Sequence, residues 1–213
     1  MAETLELELI GVPQSNYVWT TRIALGEKGV AYKFIPERPH SPAVDAIHPF
    51  GKIPVMRHSD VTLYESKAIC TYIDRQFAGR SLIPKSTAGG AVCEQWVSVI
   101  NTEIDPLLMR QYLVGYFFPG TPDGKPNRPK IDAALPKMPK HFELLDRAVG
   151  KTGFLVGDNF SLADCFLIPI LFYMAKLPES KAMMDERRNL NAYLSNQLKR
   201  KSVADSLPPL PQG

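Results

Sequence analysis

The stretch that decides the fold reads His48-Pro49-Phe50-Gly51-Lys52-Ile53-Pro54-Val55-Met56-Arg57-His58-Ser59-Asp60-Val61-Thr62-Leu63-Tyr64-Glu65-Ser66-Lys67-Ala68-Ile69. Residues 55–58 and 61–64 are short runs of strand-forming residues, and only two residues separate them. This spacing is typical of a hairpin, so the two strands are predicted to be antiparallel neighbours. A helix with an apolar stripe is then predicted to begin near Ser66 and to stop at Gly79.

Both ends of this hairpin offer groups that suit a ligand. Pro54 precedes the first strand, where it costs no ladder hydrogen bond and where a cis peptide bond is tolerated. Such a bond would leave the backbone N–H and C=O of Ile53 free for an extended partner. Glu65 and Ser66 fall at a helix N-terminus, where an acid, a hydroxyl and unpaired N–H groups suit a carboxylate next to an ammonium. Together these features predict a site for a small peptide with an α-amino-acid end.

The same stretch resembles the glutathione site of the glutathione transferase family. Gly51-Lys52-Ile53-Pro54 matches the family's Gly-x-(Ile/Val)-Pro signature, and Glu65-Ser66-Lys67-Ala68-Ile69 matches its Glu-Ser-x-Ala-Ile signature at the usual separation. The resemblance implies that Pro54 holds the Ile53 backbone, which pairs with the cysteinyl part of glutathione like an added strand.

Further binding roles follow from the resemblance. Glu65 and Ser66 correspond to the pair that binds the γ-glutamyl part. Lys52, or His40 within His40-Ser41-Pro42, is in place to meet the glycyl carboxylate. For both of these residues the alternative is an ordinary solvated side chain.

The thiol of glutathione needs a group that stabilises its anion. A cysteine thiol has a pKa of about 8.5, and its thiolate is the nucleophile. Lowering that pKa by about two units requires a preference for the thiolate of about 2.7 kcal/mol. The N-terminus of the first predicted helix, at the carboxyl end of the first strand and beside the Ile53-Pro54 turn, is a suitable place for such a donor.

Ser15 is the predicted donor. Residues 13–25 resemble the Ser-type transferases, which include phi-, theta- and zeta-like enzymes and in which a serine hydroxyl donates to the thiolate. Position 15 holds no cysteine, and the first strand ends in Ile10 and Gly11 instead of the tyrosine of Tyr-type enzymes. The alternative is that Ser15 only caps the helix, a role that can coexist with donation. Asn16 and Tyr17 are the substitutes if Ser15 points away.

The elements around this site predict an α+β fold whose first domain covers residues 1–80. Before the hairpin we expect a strand, a helix, a second strand parallel to the first, and a loop with a turn or two of helix: residues 5–10, 16–28, 32–35 and 36–50. The order β-α-β-β-α is thioredoxin-like, a four-stranded mixed sheet with helices on its faces.

Residues 81–90 have the composition of a linker, and residues 91–213 are predicted to form an all-α domain. We expect a long helix over 91–117 with a kink at Pro106, a loop over 119–129, a helix that ends near Val149, and a last helix over 190–198. Ser161 and Asp164 form a capping-box pattern ahead of an apolar run over 166–174, which must be buried on all sides.

An apolar electrophile is expected to bind between the two domains. Aromatic or flexible side chains on the long helix and its following loop suit an adaptable pocket; they are Trp96, Met109, Tyr112, Tyr116, Phe117 and Phe118. A core position is the favoured alternative for Trp96 and an equal alternative for Tyr112 and Tyr116.

Composition narrows the class of protein. The 213 residues are 45% hydrophobic and 22% charged, with 25 basic against 22 acidic residues, which argues against a nucleic-acid-binding protein. The Lys199-Arg200-Lys201 run is interpreted as a solvated helix end. No secretory leader or membrane span is recognised, so a cytoplasmic location is expected. Cys70, Cys93 and Cys165 lack the spacing of a redox pair or metal site and are predicted to be reduced core residues.

The resemblance implies a cytosolic glutathione S-transferase that acts in detoxification. It would be a homodimer with glutathione as co-substrate, no metal or other cofactor, and no nucleic-acid or membrane partner. Two alternatives remain open. One is a glutathione-dependent isomerase or dehalogenase, although the Ser-Ser-Cys sequence of maleylacetoacetate isomerases is absent before the first helix. The other is a non-catalytic protein of the same fold that binds glutathione or apolar ligands.

Overall fold

A computed structural model describes residues 7–209 of the chain. These residues form two compact units, residues 7–85 together with 199–209 and residues 86–198. In the first unit the strands are β1 (Leu7–Gly11), β2 (Tyr32–Pro36), β3 (Val55–His58) and β4 (Val61–Tyr64), and the helices are α1 (Asn16–Glu27), α2 (Pro42–Asp45), α3 (Ser66–Gln76) and α11 (Lys201–Ala204).

The strands form one mixed sheet in the order β2-β1-β3-β4. β1 runs parallel to β2 and antiparallel to β3, with Ile10 opposite Ile35 on one side and Val55 on the other. The β3–β4 hairpin has the predicted bounds, and the Ile53-Pro54 peptide bond is cis, the form that the sequence showed to be tolerated there. The thioredoxin-like order of elements is therefore confirmed. Residues 5 and 6 of the predicted first strand lie outside the described residues.

The core of this unit fills the space between the sheet and helices α1 and α3. Its buried members come from both kinds of element and include Leu9, Val18, Leu25, Met56, Ile69 and Ile73. Gly29 has φ +65°, the left-handed conformation predicted for the residue that ends α1. Lys28, next to that glycine, forms a buried ion pair with Asp74 of α3.

The last described residues pack on α1, which differs from the predicted domain boundary. Arg200 forms an ion pair with Glu27, and the Trp19 indole N–H donates to the Ser206 hydroxyl at 2.9 Å. The expectation of one all-α domain over 91–213 therefore needs correction for residues 199–209. Lys199 and Lys201 are exposed as expected, but Arg200 is not a simply solvated side chain.

The predicted linker over 81–90 is also shorter than expected. Helix α4 (Thr87–Val99) begins within it, because the Ser86 hydroxyl accepts from the backbone N–H of Gly89 and caps the helix. The residues before the helix are anchored as well, since Asp74 accepts from the backbone N–H of Leu82 at 2.7 Å.

The second unit is helical throughout. The long helix predicted over 91–117 runs without interruption from α4 through π-helical turns over Ile100–Ile104 and Pro106–Leu113 into α5 (Val114–Phe117). Near Pro106, which has no N–H to donate, the backbone changes to i→i+5 bonding, as in the bond from Asp105 N–H to the Ile100 carbonyl. The remaining helices are α6 (Arg128–Ala134), α7 (Met138–Val149), α8 (Leu162–Met174), α9 (Pro178–Asp185) and α10 (Arg188–Gln197), with a 3₁₀ turn over Leu135–Lys137.

Helix α8 is the centre of this unit, and every residue of it is buried, as predicted. The Asp164 carboxylate accepts from the backbone N–H of Ser161 at 2.8 Å, which completes the predicted capping box. Helices α6 and α9 were not predicted because each has a proline in its first turn, where that residue favours a helix start and not a break. Among residues 7–209, no helix has the length and apolarity needed to cross a membrane.

Candidate active site

The first part of the candidate site is the N-terminus of α1. Ser15 is the N-cap residue, and its hydroxyl oxygen accepts from the backbone N–H of Val18 at 3.5 Å. The first turn of α1 contains no acidic residue, so the positive end of the helix dipole is not offset there. Ser15 is partly buried, and within residues 7–209 no acceptor is found for its hydroxyl hydrogen. Capping and donation to a thiolate are therefore compatible.

Gly11 brings the Ile53 turn close to this helix end. A methyl group at position 11 would lie 2.6 Å from Cγ2 of Val18 and 3.4 Å from Cβ of Ile53. Only glycine permits this approach between the end of β1, the first turn of α1 and the residue before Pro54. The backbone N–H and C=O of Ile53 make no hydrogen bond within the described part of the chain. They remain available to an extended ligand.

The second part is the turn between β4 and α3. Glu65 has φ +68° and ψ +111°, a backbone conformation that non-glycine residues rarely adopt. Its side chain is 66% exposed, and the following residue, Ser66, is buried. The first turn of α3 has no capping side chain, so its N–H groups can receive an anion. Strain of this kind is typical of functional sites, where the surrounding structure holds it.

His48 lies beside this turn and was not predicted as a site residue. Its side chain is buried, and its Nε2 lies 3.6 Å from Oε1 of Glu65. His48 belongs to the stretch of sequence that predicted the hairpin. The sequence alone does not show that its side chain lies next to that of Glu65, 17 residues later.

The two candidates for the glycyl carboxylate are both exposed. His40 has φ +61°, its backbone N–H donates to the Gly51 carbonyl at 2.9 Å, and its Nδ1 lies 3.7 Å from Oδ1 of Asp45. Lys52 follows Gly51 directly. Both side chains are therefore accessible to a ligand, and their exposure does not distinguish between them.

The predicted electrophile-pocket residues differ in how accessible they are. Met109 and Tyr112 are buried, whereas Trp96, Tyr116 and Phe117 are partly buried and Phe118 is exposed. The Tyr112 hydroxyl donates to Glu179 at 2.9 Å and accepts from the backbone N–H of Ser180. Its hydroxyl is therefore part of the internal hydrogen bonding of the second unit.

Arg22 braces α1 against the sheet. Its Nε donates to the Tyr32 hydroxyl at 3.1 Å, and its guanidinium lies over the ring of Phe34.

Comparison with models of protein families identifies the class of protein to which these features belong. The model of the N-terminal domain of glutathione S-transferases matches residues 9–81, and that of the C-terminal domain matches residues 128–196. The chain belongs to the glutathione S-transferase family, and it is a transferase.

Individual relatives agree with this assignment. Glutathione S-transferase 3 of Zea mays is 31% identical over 78% of this chain and 78% of its own length. The crystal structure of glutathione transferase F7 from Populus trichocarpa has a TM-score of 0.85 at 26% identity and covers 94% of this chain and 97% of its own. A solved glutathione S-transferase I bound with lactoylglutathione has a TM-score of 0.84 at 25% identity and covers 95% and 98% of the two chains.

Proposed function

We propose that this transferase ionises the thiol of glutathione at the N-terminus of α1 and adds the thiolate to an apolar electrophile. The observation that carries the proposal is the close approach of Gly11 to Val18 and Ile53, which brings the free backbone groups of Ile53 near the helix end that Ser15 caps. The Ser15 hydroxyl would donate to the sulfur while the helix end adds positive potential. A gain of about 2.7 kcal/mol from these two sources lowers a thiol pKa by about two units.

The tripeptide is proposed to lie across the first unit. Its cysteinyl backbone pairs with Ile53, and its α-ammonium forms an ion pair with the Glu65 carboxylate. Its α-carboxylate accepts hydrogen bonds from Ser66 and the first N–H groups of α3. Lys52 or His40 meets the glycyl carboxylate. Support comes from the strained, uncapped turn at Glu65, because such strain is a common mark of a binding site.

The electrophile pocket is proposed to use the apolar surfaces of Met109, Tyr112, Tyr116 and Phe117. Tyr116 and Phe117 would make the direct contacts, since they are partly exposed whereas Met109 and Tyr112 are buried. Proximity of the thiolate and the electrophile would supply most of the rate increase, with no covalent enzyme intermediate and no part for a metal.

The test compares Ser15→Ala with Ser15→Thr, which keeps the hydroxyl. Conjugation of glutathione to 1-chloro-2,4-dinitrobenzene is followed together with the pKa of bound glutathione, read from thiolate absorbance. In Ser15→Ala we expect kcat to fall roughly tenfold to hundredfold and the thiol pKa to rise by about one to two units, with binding retained. Ser15→Thr should stay closer to wild type. An unchanged thiol pKa in Ser15→Ala would exclude Ser15 as the donor.

The same assays separate the two alternatives. Isomerisation of a cis-dienone without net use of glutathione would favour an isomerase. Binding of glutathione without turnover towards a panel of electrophiles would favour a non-catalytic ligand-binding protein.

Three further properties are proposed from the family resemblance: a role in detoxification, a homodimer and a cytoplasmic location. Cys70, Cys93 and Cys165 are buried and form no disulfide within residues 7–209, which is consistent with a reducing compartment. Phe50 is 69% exposed and is an apolar side chain that a second subunit could cover. Light scattering should report twice the chain mass, and Phe50→Ser should raise the dissociation constant of the dimer.

A further inference from the structure

His48 is a buried polar side chain at the edge of the proposed glutathione site. Its backbone is fixed by a donated hydrogen bond to the Val44 carbonyl at 2.8 Å and by an accepted one from Gly51 N–H at 2.9 Å. The imidazole is 2% exposed and packs against the ring of Tyr64, with 4.8 Å between ring centroids. The ring therefore has one defined orientation.

The hydrogen bonds of the ring set where its proton lies. The backbone N–H of Phe50 donates to Nδ1 at 3.1 Å, so Nδ1 is an acceptor and carries no hydrogen. The N–H of the imidazole is then on Nε2, which faces Oε1 of Glu65 at 3.6 Å. The donor nitrogen thus lies 3.6 Å from the carboxylate of Glu65, the residue with the strained φ of +68°.

We propose that His48 is a positioning residue that holds the Glu65 carboxylate for the α-ammonium of glutathione, an inference that rests on the proposed function. Nε2–H holds one carboxylate oxygen, and the contact shortens when the ligand binds. The second oxygen then faces the ammonium. Glu65 is largely exposed, so its side chain would otherwise sample several rotamers, and fixing it beforehand lowers the entropy that binding must overcome.

The test uses two tripeptides that differ only at the ammonium. Glutathione carries the α-amino group, and glutaryl-cysteinyl-glycine lacks it. Calorimetry gives both dissociation constants for wild type and for variants that separate the two ring nitrogens. His48→Asn can still accept from Phe50 N–H but is too short to reach Glu65, whereas His48→Gln keeps a donor near the Nε2 position.

Wild type should prefer glutathione over the analogue by roughly tenfold or more, as expected for a charge-assisted contact. His48→Asn should lose most of that preference by weakening only glutathione binding, and His48→Gln should retain it. In a Glu65→Gln background, His48→Asn should have no further effect. The loss in His48→Asn should appear in the KM for glutathione more than in kcat, because the proposed thiol donor is Ser15 and not Glu65.

Several outcomes would overturn the inference. Equal weakening of both tripeptides by His48→Asn would assign His48 to support of its loop, and so would additive effects of the two substitutions. Loss of the preference in His48→Gln would exclude the Nε2 donor even if His48→Asn did not fold. Equal binding of both tripeptides by wild type would remove Glu65 and His48 from recognition while leaving thiol activation at Ser15 intact. Absence of glutathione binding by wild type would refute the proposed function as well.

Discussion

The guanidinium of Arg200 holds the carboxylate of Glu27 by two parallel hydrogen bonds, Nε to Oε1 at 2.5 Å and Nη2 to Oε2 at 2.7 Å, across 173 residues of sequence. The Ser202 hydroxyl donates to the same carboxylate. Glu27 is the last residue of α1, and Ser15 caps the other end of that helix. The last described helix therefore helps to fix the helix on which thiol activation is proposed to depend.

Arg200→Met should lower the free energy of unfolding by about 2–3 kcal/mol, because it leaves a mostly buried carboxylate without its cation. Lys201→Met is the control. It removes the exposed i,i+4 pair with Asp205 and should change stability by about 0.5 kcal/mol or less. Urea unfolding of the three proteins measures this, and equal losses in both variants would contradict the assignment of Arg200.

The stability that this pair contributes should depend on pH. Burial alone would raise the pKa of Glu27, but the hydrogen bonds from Arg200 and Ser202 and the charge of Arg200 hold the pKa below its ordinary value of 4.5. A carboxyl with a lowered folded pKa stabilises the fold above its unfolded pKa and loses that contribution as the pH falls through the folded value. The difference in unfolding free energy between wild type and Arg200→Met should therefore shrink below about pH 4.5. A difference that stays constant into acid would argue against the pair as its source.

Lys28→Met should destabilise the chain by about 3–5 kcal/mol. The Lys28 ammonium lies 3.3 Å from Asp74 Oδ1, and both side chains are almost fully buried, at 2% and 4% exposure. The substitution leaves Asp74 with its donors from residues 81–83 but without a countercharge. Lys33→Met, which breaks the exposed pair with Glu8, should cost less than about 1 kcal/mol. Similar denaturation midpoints for the two variants would refute the prediction.

Gly11→Ala should reduce both stability and affinity for glutathione. The added methyl group would lie 2.6 Å from Val18 and so force α1 or the Ile53 turn to shift. Gly120→Ala is the control, since Gly120 has φ +63° with no heavy atom within 4 Å of the added group. It should cost about 1 kcal/mol and leave glutathione affinity unchanged. Calorimetric titration of both variants measures this, and intact affinity in Gly11→Ala would show that the approach is not needed for binding.

Tyr116→Phe should lower stability by about 1–3 kcal/mol and leave kcat with an aryl halide near wild type. The Tyr116 hydroxyl donates a short hydrogen bond to Glu179, which is also paired with Arg128 at 2.7 Å. Burial alone would raise the pKa of Glu179, yet the bonds from Tyr116 and Arg128 lower it to about 2. The hydroxyl is thus committed to a carboxylate that stays ionised.

Tyr116→Leu is the matched variant, because it also removes the ring. If the ring lines the electrophile pocket, Tyr116→Leu should raise KM for the aryl halide while Tyr116→Phe does not. A large fall in kcat for Tyr116→Phe would instead give the hydroxyl a part in the chemistry.

Local patterns in the sequence predicted much of the fold. The two-residue turn at Ser59 and Asp60 determines an antiparallel hairpin, and the β3 and β4 bounds agree with it. The Ser161 and Asp164 spacing places the start of α8, and the wholly apolar run after it requires burial on all sides. The hairpin turn and the capping box each depend on residues that are close together in the sequence, so the sequence is sufficient to predict them.

Prolines were the main source of error in predicting helices from the sequence. Pro129 and Pro178 stand in the first turns of α6 and α9, where the missing N–H has no intrahelical acceptor to lose. Further inside a helix, the same residue type removes a backbone hydrogen bond. At Pro106 the helix continues by changing to π-helical bonding, which the sequence pattern does not indicate.

The sequence by itself determined the order of elements, the glutathione signatures around Ile53 and Glu65, and the serine at the start of α1. Only the tertiary structure decided that Arg200 packs on Glu27 and that His48 lies next to Glu65. The same is true of the missing side chain at Gly11, which lets Ile53 approach the N-terminus of α1. Each of these contacts joins segments whose approach is set by the packing of the sheet and its helices. Hydrogen bonds and ion pairs act over a few ångströms, so they form only after that packing has brought their partners together.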